Sequence, residues 1–548
     1  MATTKSSSTT AVIVEEESED VNVPPSRAFH TKSLLSDSNQ EEISNHDENS
    51  TLSYCMPIDH DSPLRKGTLI SATINLLTSM MGGGSLSLPF AFAKAGNILL
   101  GPIILLVCAS SASYTLRILM DASARVSHNQ QPRTLNTSYE IVCQSALGGG
   151  FQYITMCMII SVCFVGTLGY AVLIRDLCVP LAHWIHPPSS SSEQPTPLEN
   201  ILMFAIVAAV TPLCTFPTLT SLQNFGMLSI ISVSILGSCI VYRSVQCVAA
   251  STSTTNDLFS TPPYIHPNAS TVPFLSFLPA SFQDFLQAFP LVLNCFFCQF
   301  NAIPVHAELA NPTPRRVSYI SKAVVVFASF FYLSIGIFGS IFGSKCTPNG
   351  IVSGNILLDF DDDDPVVTLG RLCLGITIAF AFPCQVIPAR DTLLRLIRVI
   401  QVKKRTKNAE QPNVSSLDDR NDLLLEPLLD GDSLDQCSLT STSNDMNNYS
   451  TTVYPSKKLR VGVAIAIFWS AAAIASRVSS VAVIWDLLGS SLVVLVGFLI
   501  PCAICVRILC NEENWNWRKI SAMGMIGLYL PLMILCTGNA IRINIVSS

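Results

Sequence analysis

Apolar residues run along this chain in long blocks, not in the short stripes of a water-soluble fold. Eleven blocks are long enough to cross a hydrocarbon layer about 30 Å thick. They lie at 68–93, 97–120, 151–177, 200–218, 224–248, 285–303, 320–343, 367–394, 459–479, 483–508 and 518–538. Inside a bilayer a helix satisfies its own backbone polar groups. The blocks therefore predict an all-α polytopic membrane protein of about 11 transmembrane helices. The segments between blocks differ in kind. Residues 1–66 are polar, with acidic Glu15–Glu17 and Glu41–Glu42, and cannot bury enough apolar area to fold. A disordered cytosolic tail is expected there, a transmembrane unit over 67–540 with a disordered cytosolic loop at 398–456, and a short exoplasmic tail at 541–548.

Two blocks carry polar and helix-breaking residues in their middle. The first contains Gly82-Gly83-Gly84-Ser85-Leu86-Ser87-Leu88-Pro89. Glycine is a poor helix former, and Pro89 cannot donate to the Ser85 carbonyl. Broken backbone at membrane depth survives only where protein covers it or it lines a wet cavity. Its freed N–H groups suit a carboxylate and its freed carbonyls an ammonium or a metal cation, so one zwitterion would satisfy both. A close-packed face of small residues is the competing reading. The sixth block contains Cys298-Gln299-Phe300-Asn301-Ala302-Ile303-Pro304, with two amides inside an apolar run. Such residues are candidates for a functional site, with interhelical bonding as the alternative. Blocks one and six stand five apart, as in a five-plus-five inverted repeat whose broken first helices meet at mid-membrane, the eleventh helix being extra.

Composition agrees. Hydrophobic residues make up 49% and charged residues 13%, and the net charge of −6 resides mainly in polar segments. No basic stripe points to nucleic acid, and no Walker A, HExxH or GxSxG pattern points to an enzyme. Most of the nineteen cysteines lie in apolar runs, where cysteine packs as a small hydrophobe. The CxxC pairs Cys295/Cys298 and Cys502/Cys505 have no nearby histidine to complete a zinc site. Cys346 stands in a polar loop, and a candidate disulfide partner is Cys247 at a helix end.

Basic residues fix the expected orientation. Arg125, Arg315, Arg316, Lys403-Lys404-Arg405, Lys457, Lys458, Arg507, Arg518 and Lys519 share one face when the N-terminus is cytosolic. The sequon at Asn268 is then exoplasmic and open to glycosylation. The run Asp361–Asp364 reads as a solvated exoplasmic charge cluster. Asp419, Leu423 and Leu424 form an acidic dileucine pattern that a sorting adaptor would read.

With these residues in place the chain resembles the amino acid/auxin permease family, within the amino acid/polyamine/organocation superfamily, and in particular its vacuolar-type and sodium-coupled neutral amino acid branches. The likeness runs from about Lys66 to Cys536. It rests on Gly82, Gly84, Leu86, Leu88, Pro89, Ala91 and Gly96 in block one, and on Cys298, Asn301, Pro304, Val305, Glu308 and Leu309 in block six. Phe382-Pro383 through Pro388-Ala389-Arg390 in block eight add a third match.

The resemblance implies the five-plus-five fold and transport of amino acids, with neutral ones expected, by alternating access driven by H⁺ or Na⁺, with no cofactor. The two broken blocks, read from their own residues, place substrate at Thr78, Gly82, Gly83, Gly84, Ser85, Cys298, Gln299 and Asn301. His306, Glu308 and Arg390 are gating or proton-coupling candidates, Glu308 with Arg390 as an inner ion pair. Three departures stand out: Gln299 where histidine is common, His306 where tyrosine is common, and Thr78 where sodium-coupled members have asparagine. The last favours protons. The expected membrane is vacuolar, endolysosomal or plasma. A sensor using the same pocket without net flux, or a channel, would share these features.

Overall fold

The computed structural model describes Arg65 and residues 67–129, 138–185, 197–216, 223–253, 276–347, 350–409, 456–478, 480–509 and 517–547. The expectations for the N-terminal tail before Arg65, Asn268, and Asp419, Leu423 and Leu424 lie outside these residues. Among the described residues helices dominate, and the one extended pairing is a parallel bridge between Gly67 and Leu309.

The first block forms α1 (Leu69–Met80) and α2 (Leu88–Ala95), bent by 47° at the glycine run. Thr68 caps α1 by accepting from the Ser71 N–H, and Pro89 sits at the start of α2, where no helix bond is lost. There follow α3 (Leu100–Asn129), α4 (Tyr139–Leu147), α5 (Gly149–Ile185), α6 (Pro197–Cys214) and α7 (Gln223–Ser253). The sixth block is α8 (Phe282–Cys295), a short turn, and α9 (Ala302–Glu308). The remainder are α10 (Pro314–Cys346), α11 (Pro365–Ala409), α12 (Lys457–Ala475), α13 (Val481–Ser490), α14 (Ile500–Ile504) and α15 (Trp517–Ser547). Wider π-type turns, Val494–Leu499 and Cys505–Leu509, flank α14.

The protein is an all-α polytopic membrane protein. Among the described residues nine helices are long and apolar enough to cross a membrane, and the bent α1–α2 pair makes a tenth. The expected span at 200–218 is shorter, its apolar helix running Leu198–Cys214. Phe216 precedes Pro217, and the residue before a proline is pushed out of helical geometry. At the other extreme α11 continues to Ala409 and α15 to Ser547, past the expected starts of the loop at 398 and the tail at 541.

Burial orders the helices from centre to rim. In the 18-residue apolar stretch of each span, 89% is buried for Phe282–Glu308, 28% for Lys457–Ala475 and only 17% for Trp517–Ile543. The spans with interrupted backbone thus include the most enclosed one, and α15 is peripheral. Outward faces carry bare aliphatic side chains such as Leu106, Val326, Leu372 and Ile534, the composition a lipid solvent selects.

The two ends of the bundle differ chemically. A Cys247–Cys346 disulfide joins the ends of α7 and α10, with Cα atoms 6.6 Å apart. At this disulfide end Asp364 is buried, accepts from the Val366 N–H at 2.9 Å as a helix cap, and pairs with Arg243. Asp362 bridges His183 and Arg371. The run Asp361–Asp364 is therefore partly a structural brace and not a freely solvated cluster. The opposite, basic end carries Arg65, Arg315, Arg316, Arg507 and Arg518.

Candidate functional site

Both interruptions are built alike. In the first, α1 ends at Met80 and a tight turn, Gly83–Ser87, leads into α2; its first bond runs from the Ser85 N–H to the Gly82 carbonyl at 3.2 Å. In the second, α8 ends at Cys295 and the turn Gln299–Asn301 leads into α9; its first bond runs from the Asn301 N–H to the Cys298 carbonyl at 3.0 Å. The amides of Gly83 and Gly84, and of Gln299 and Phe300, precede those first bonds and have no partner within their turns. The first break also changes direction, whereas the second runs on as one span of 27 residues.

Four sets of contacts hold the broken spans against each other. At mid-depth Asn301 Nδ2 donates to Ser79 Oγ at 2.8 Å, and Ser79 donates back to the Asn75 carbonyl. The Tyr332 hydroxyl of α10 lies 2.8 Å from the Met80 carbonyl and 2.9 Å from the Cys295 carbonyl, the last residues of α1 and α8. At the basic end the Gly67 N–H donates to Glu308 O at 2.8 Å and the Ala310 N–H to Gly67 O at 2.9 Å. At the disulfide end Lys94 of α2 pairs with Asp284 of α8 at 2.9 Å.

Two of the three glycines stand in close approach to side chains of α5. A Cβ on Gly82 would stand 2.5 Å from Tyr170 Oη, and one on Gly83 would stand 2.0 Å from Leu173 Cδ1. Gly84 differs, since a Cβ there would meet nothing nearer than Asn294 Nδ2 at 3.5 Å and Cys295 Sγ at 3.7 Å. Gly84 and Asn294 are also half-buried, whereas Gly82, Gly83 and Ser85 are buried. The open side of the first break is therefore Gly84, faced by the Asn294 amide.

The other residues singled out by sequence take varied places. Ser85 bonds within the turn, its Oγ donating to Gly82 O at 3.0 Å. Thr78 turns toward α7 and donates to Gly226 O at 3.3 Å. Cys298 and Gln299 are fully buried. Gln299 Oε1 accepts the Cys298 N–H at 2.9 Å, and its Nε2 reaches Thr115 of α3 at 3.3 Å. Gln299 is thus an interhelical bond and does not face the open side. His306 is buried in α9, and Arg65 donates to its carbonyl at 3.4 Å. Arg390 is fully buried, with Nε to Asp391 at 2.7 Å and Nη1 to Phe216 O at 2.9 Å. The Glu308 carbonyl is engaged by Gly67, as above.

Three further residues belong to this site. Asn294 was legible as an amide within an apolar run, by the argument that selected Gln299 and Asn301. Tyr332 and Tyr170 carried no sequence signal, because tyrosine within a membrane helix is unremarkable until its hydroxyl partner is known. Tyr170 stacks edge-on against Phe382 and Trp485, with ring centres 5.9 and 5.8 Å away. A separate groove of about 650 Å³, lined by Ile230, Ser234, Ser238, Tyr242 and Val366, takes no residue from either break.

Comparison with known proteins places these features in a lineage. A family model described as transmembrane amino acid transporter protein matches residues 65–542. The chain is 24% identical over 341 residues to vacuolar amino acid transporter 5 of Schizosaccharomyces pombe, covering 62% of this chain and 72% of the relative. It is 22% identical over 500 residues to vacuolar amino acid transporter 5 of Saccharomyces cerevisiae, covering 87% and 97%. Among solved structures it shares its fold with MhsT, crystallised with L-phenylalanine, at a TM-score of 0.51 and 10% identity over 86% of this chain and 98% of that one.

Proposed function

The chain belongs to the family of transmembrane amino acid transporter proteins, a family of carriers and not of enzymes, and we propose that it is a secondary transporter moving neutral amino acids by alternating access. The observation that carries this reading is the Asn301–Ser79 contact, which sets the two breaks against each other deep in the bundle. One amino acid presents a carboxylate and an ammonium a few ångströms apart, and the site offers complementary groups at that scale.

In this reading the substrate carboxylate takes the free amides of Gly83 and Gly84, with the Asn294 amide beside them. The ammonium takes the carbonyl side. Tyr332 has one proton for the two oxygens of Met80 and Cys295, and Met80 also accepts the Gly82 N–H, so the Cys295 carbonyl retains the acceptor capacity that an ammonium fills. Contacts to helix ends are worth about 0.3–2 kcal/mol each, so several together reach the roughly 4 kcal/mol of millimolar binding. Gln299 and Cys298 support the second break from behind, and Ser85 fixes the turn. Asn301 joins the breaks.

Protons are the proposed driver. Thr78 supports this, since its hydroxyl faces Gly226 of α7 and not the break. His306, Glu308 and Arg390 remain candidates for the gate at the basic end, where Gly67 already straps α9 to the start of α1. The proposed membrane is vacuolar-type, in keeping with the relatives' names. The cytosolic placement of the N-terminus is supported by the basic residues at one end and the disulfide at the other.

Purified protein in liposomes tests the reading. Labelled neutral amino acids should accumulate under an imposed pH gradient and show no further response to a sodium gradient at fixed pH. Binding without uptake would replace the carrier with a sensor, and sodium-driven uptake would replace the coupling ion.

A further inference from the structure

The acidic residues of the described spans have mostly been matched to cations. Asp121 pairs with Arg518, Glu140 with Arg395, Asp284 with Lys94, and Asp391 with Arg390. Asp176 lies beside Arg175 and accepts from Asn355 at 3.1 Å. Asp486 of α13 is different. It is 5% exposed, its Oδ1 is buried with no hydrogen-bond partner, and among the described residues no basic side chain reaches it.

An unpaired carboxylate in so enclosed a place is unstable as an anion and stable as a neutral acid. The helices packed on α13 are α5, α8 and α15. From α15 the Cys536 thiol comes within electrostatic range of Asp486. On α8 the acid Asp284 is held by Lys94, and on α5 Asp176 is engaged by Arg175 and Asn355 while Arg175 also donates to the Ala475 and Val478 carbonyls. One turn from Cys536 on the same face of α15, Asn539 is buried and its Nδ2 has no partner. An orphan N–H donor on the facing helix is what a deprotonated carboxylate would recruit after a small shift.

A packed path leads from this residue to the first break. The neighbouring Trp485 fits so closely against Gly169 that a Cβ there would meet its ring at 2.5 Å. Trp485 stacks edge-on upon Tyr170, and the Tyr170 hydroxyl abuts Gly82. One turn further along α13, Gly489 lies against the Pro290 carbonyl of α8, where a Cβ would be 2.2 Å away. The short helix holding Asp486 therefore bears directly on both broken spans.

We propose that Asp486 is the proton-binding residue of this transporter, and that its protonation state is passed to the substrate site through Trp485 and Tyr170. The proposal rests on the proton-coupled reading above. Each cycle adds one proton to the carboxylate from one aqueous face and returns it to the other, with no other bond made or broken.

The test uses the full-length protein in liposomes and tritiated neutral amino acids. Wild type should accumulate label under a pH gradient; if it does not, proton coupling fails and the role of Asp486 fails with it. Given wild-type accumulation, Asp486→Asn should lose gradient-driven uptake while still exchanging internal for external amino acid, a step that needs no proton release. Retained gradient-driven uptake in Asp486→Asn overturns the proposal and leaves proton coupling standing. Should the variant fail to exchange as well, wild type treated with dicyclohexylcarbodiimide, which modifies protonated buried carboxyls, decides. Labelling of Asp486 that declines as pH rises supports the proposal, and no labelling at any pH overturns it.

Discussion

The Tyr332 hydroxyl donates toward the Met80 carbonyl across 2.8 Å, and so fastens α10 to the point where the first span breaks. Tyr332→Phe keeps the ring and its edge-on packing against Phe296, at 5.3 Å between centres, but removes the one hydroxyl proton that serves the buried Met80 and Cys295 carbonyls, leaving Met80 with the Gly82 N–H alone. A loss of about 1–3 kcal/mol is expected, divided between fold and substrate site. Uptake kinetics and thermal melting together should show a lower melting point and weaker apparent affinity. A variant equal to wild type in both would remove Tyr332 from the site.

Gly83 and Gly84 are adjacent but not equivalent. Gly83→Ala places a methyl group 2.0 Å from Leu173 Cδ1, whereas Gly84→Ala meets only ordinary contact distances. Gly83→Ala should reduce folded yield, with a cost of about 1–3 kcal/mol from overpacking. Gly84→Ala should fold normally and lose substrate affinity. Size-exclusion profiles and binding by scintillation proximity separate the two.

Asn294 and Gln299 invite the same comparison. Gln299→Ala orphans the Cys298 N–H and removes the bond to Thr115, whose hydroxyl keeps the Ala112 carbonyl, so its effect should appear as a stability loss of about 1–3 kcal/mol. Asn294→Ala removes an amide from the open side of Gly84. It should raise KM several-fold with the melting temperature little changed. The reverse pattern would exchange their roles.

The loop at the disulfide end has its own pH dependence. Burial pushes the Asp359 carboxyl up to about 6, partly offset by the Ser353 N–H, which donates to it at 2.9 Å. The folded value exceeds the ordinary value of about 3.9. The stabilisation is therefore complete below about pH 4 and lost as pH rises through about 6. Amide exchange near Ile356–Leu358, corrected for intrinsic rates, should lose protection on the order of tenfold between pH 5 and 7. Asp359→Asn should flatten that change.

The Cys247–Cys346 disulfide closes a separation of 99 residues. Chain entropy alone would assign it about 5 kcal/mol. Helices threaded through a bilayer are already restricted, so about 2 kcal/mol is the expected loss in the Cys247→Ser/Cys346→Ser variant, read as a lower melting temperature. Wild type in reductant should approach the same value.

Much of this was legible in the chain. Runs of apolar residues settle the membrane helices because a bilayer leaves the backbone so few options, and Gly82–Pro89 marks the first break through residues that cannot sustain a helix. The Cys247–Cys346 pairing was also visible, from one cysteine in a polar loop and one at a helix end. What the sequence hides is direction. Gln299 and Asn294 are both amides in an apolar run, yet one turns into the protein toward Thr115 and the other toward Gly84, a difference set by where α8 stops. Arg390 looked like a partner for Glu308, but its own neighbour Asp391 is 2.7 Å away. Tyr332 was invisible because its importance lies wholly in the two carbonyls that tertiary packing brings to it.

The two straps joining the broken spans are made of different materials. At the basic end the link is largely backbone hydrogen bonding between Gly67, Glu308 and Ala310. At the disulfide end it is the Lys94–Asp284 ion pair, whose side chains are 39% and 19% exposed. Mobile ions screen exposed charges over about 8 Å at physiological ionic strength and leave backbone bonds nearly untouched. Under alternating access, ionic strength thus becomes a handle on one door alone. Salt loosens the end that holds the disulfide, and the resting population of the carrier drifts toward that compartment without any change in substrate or driving ion.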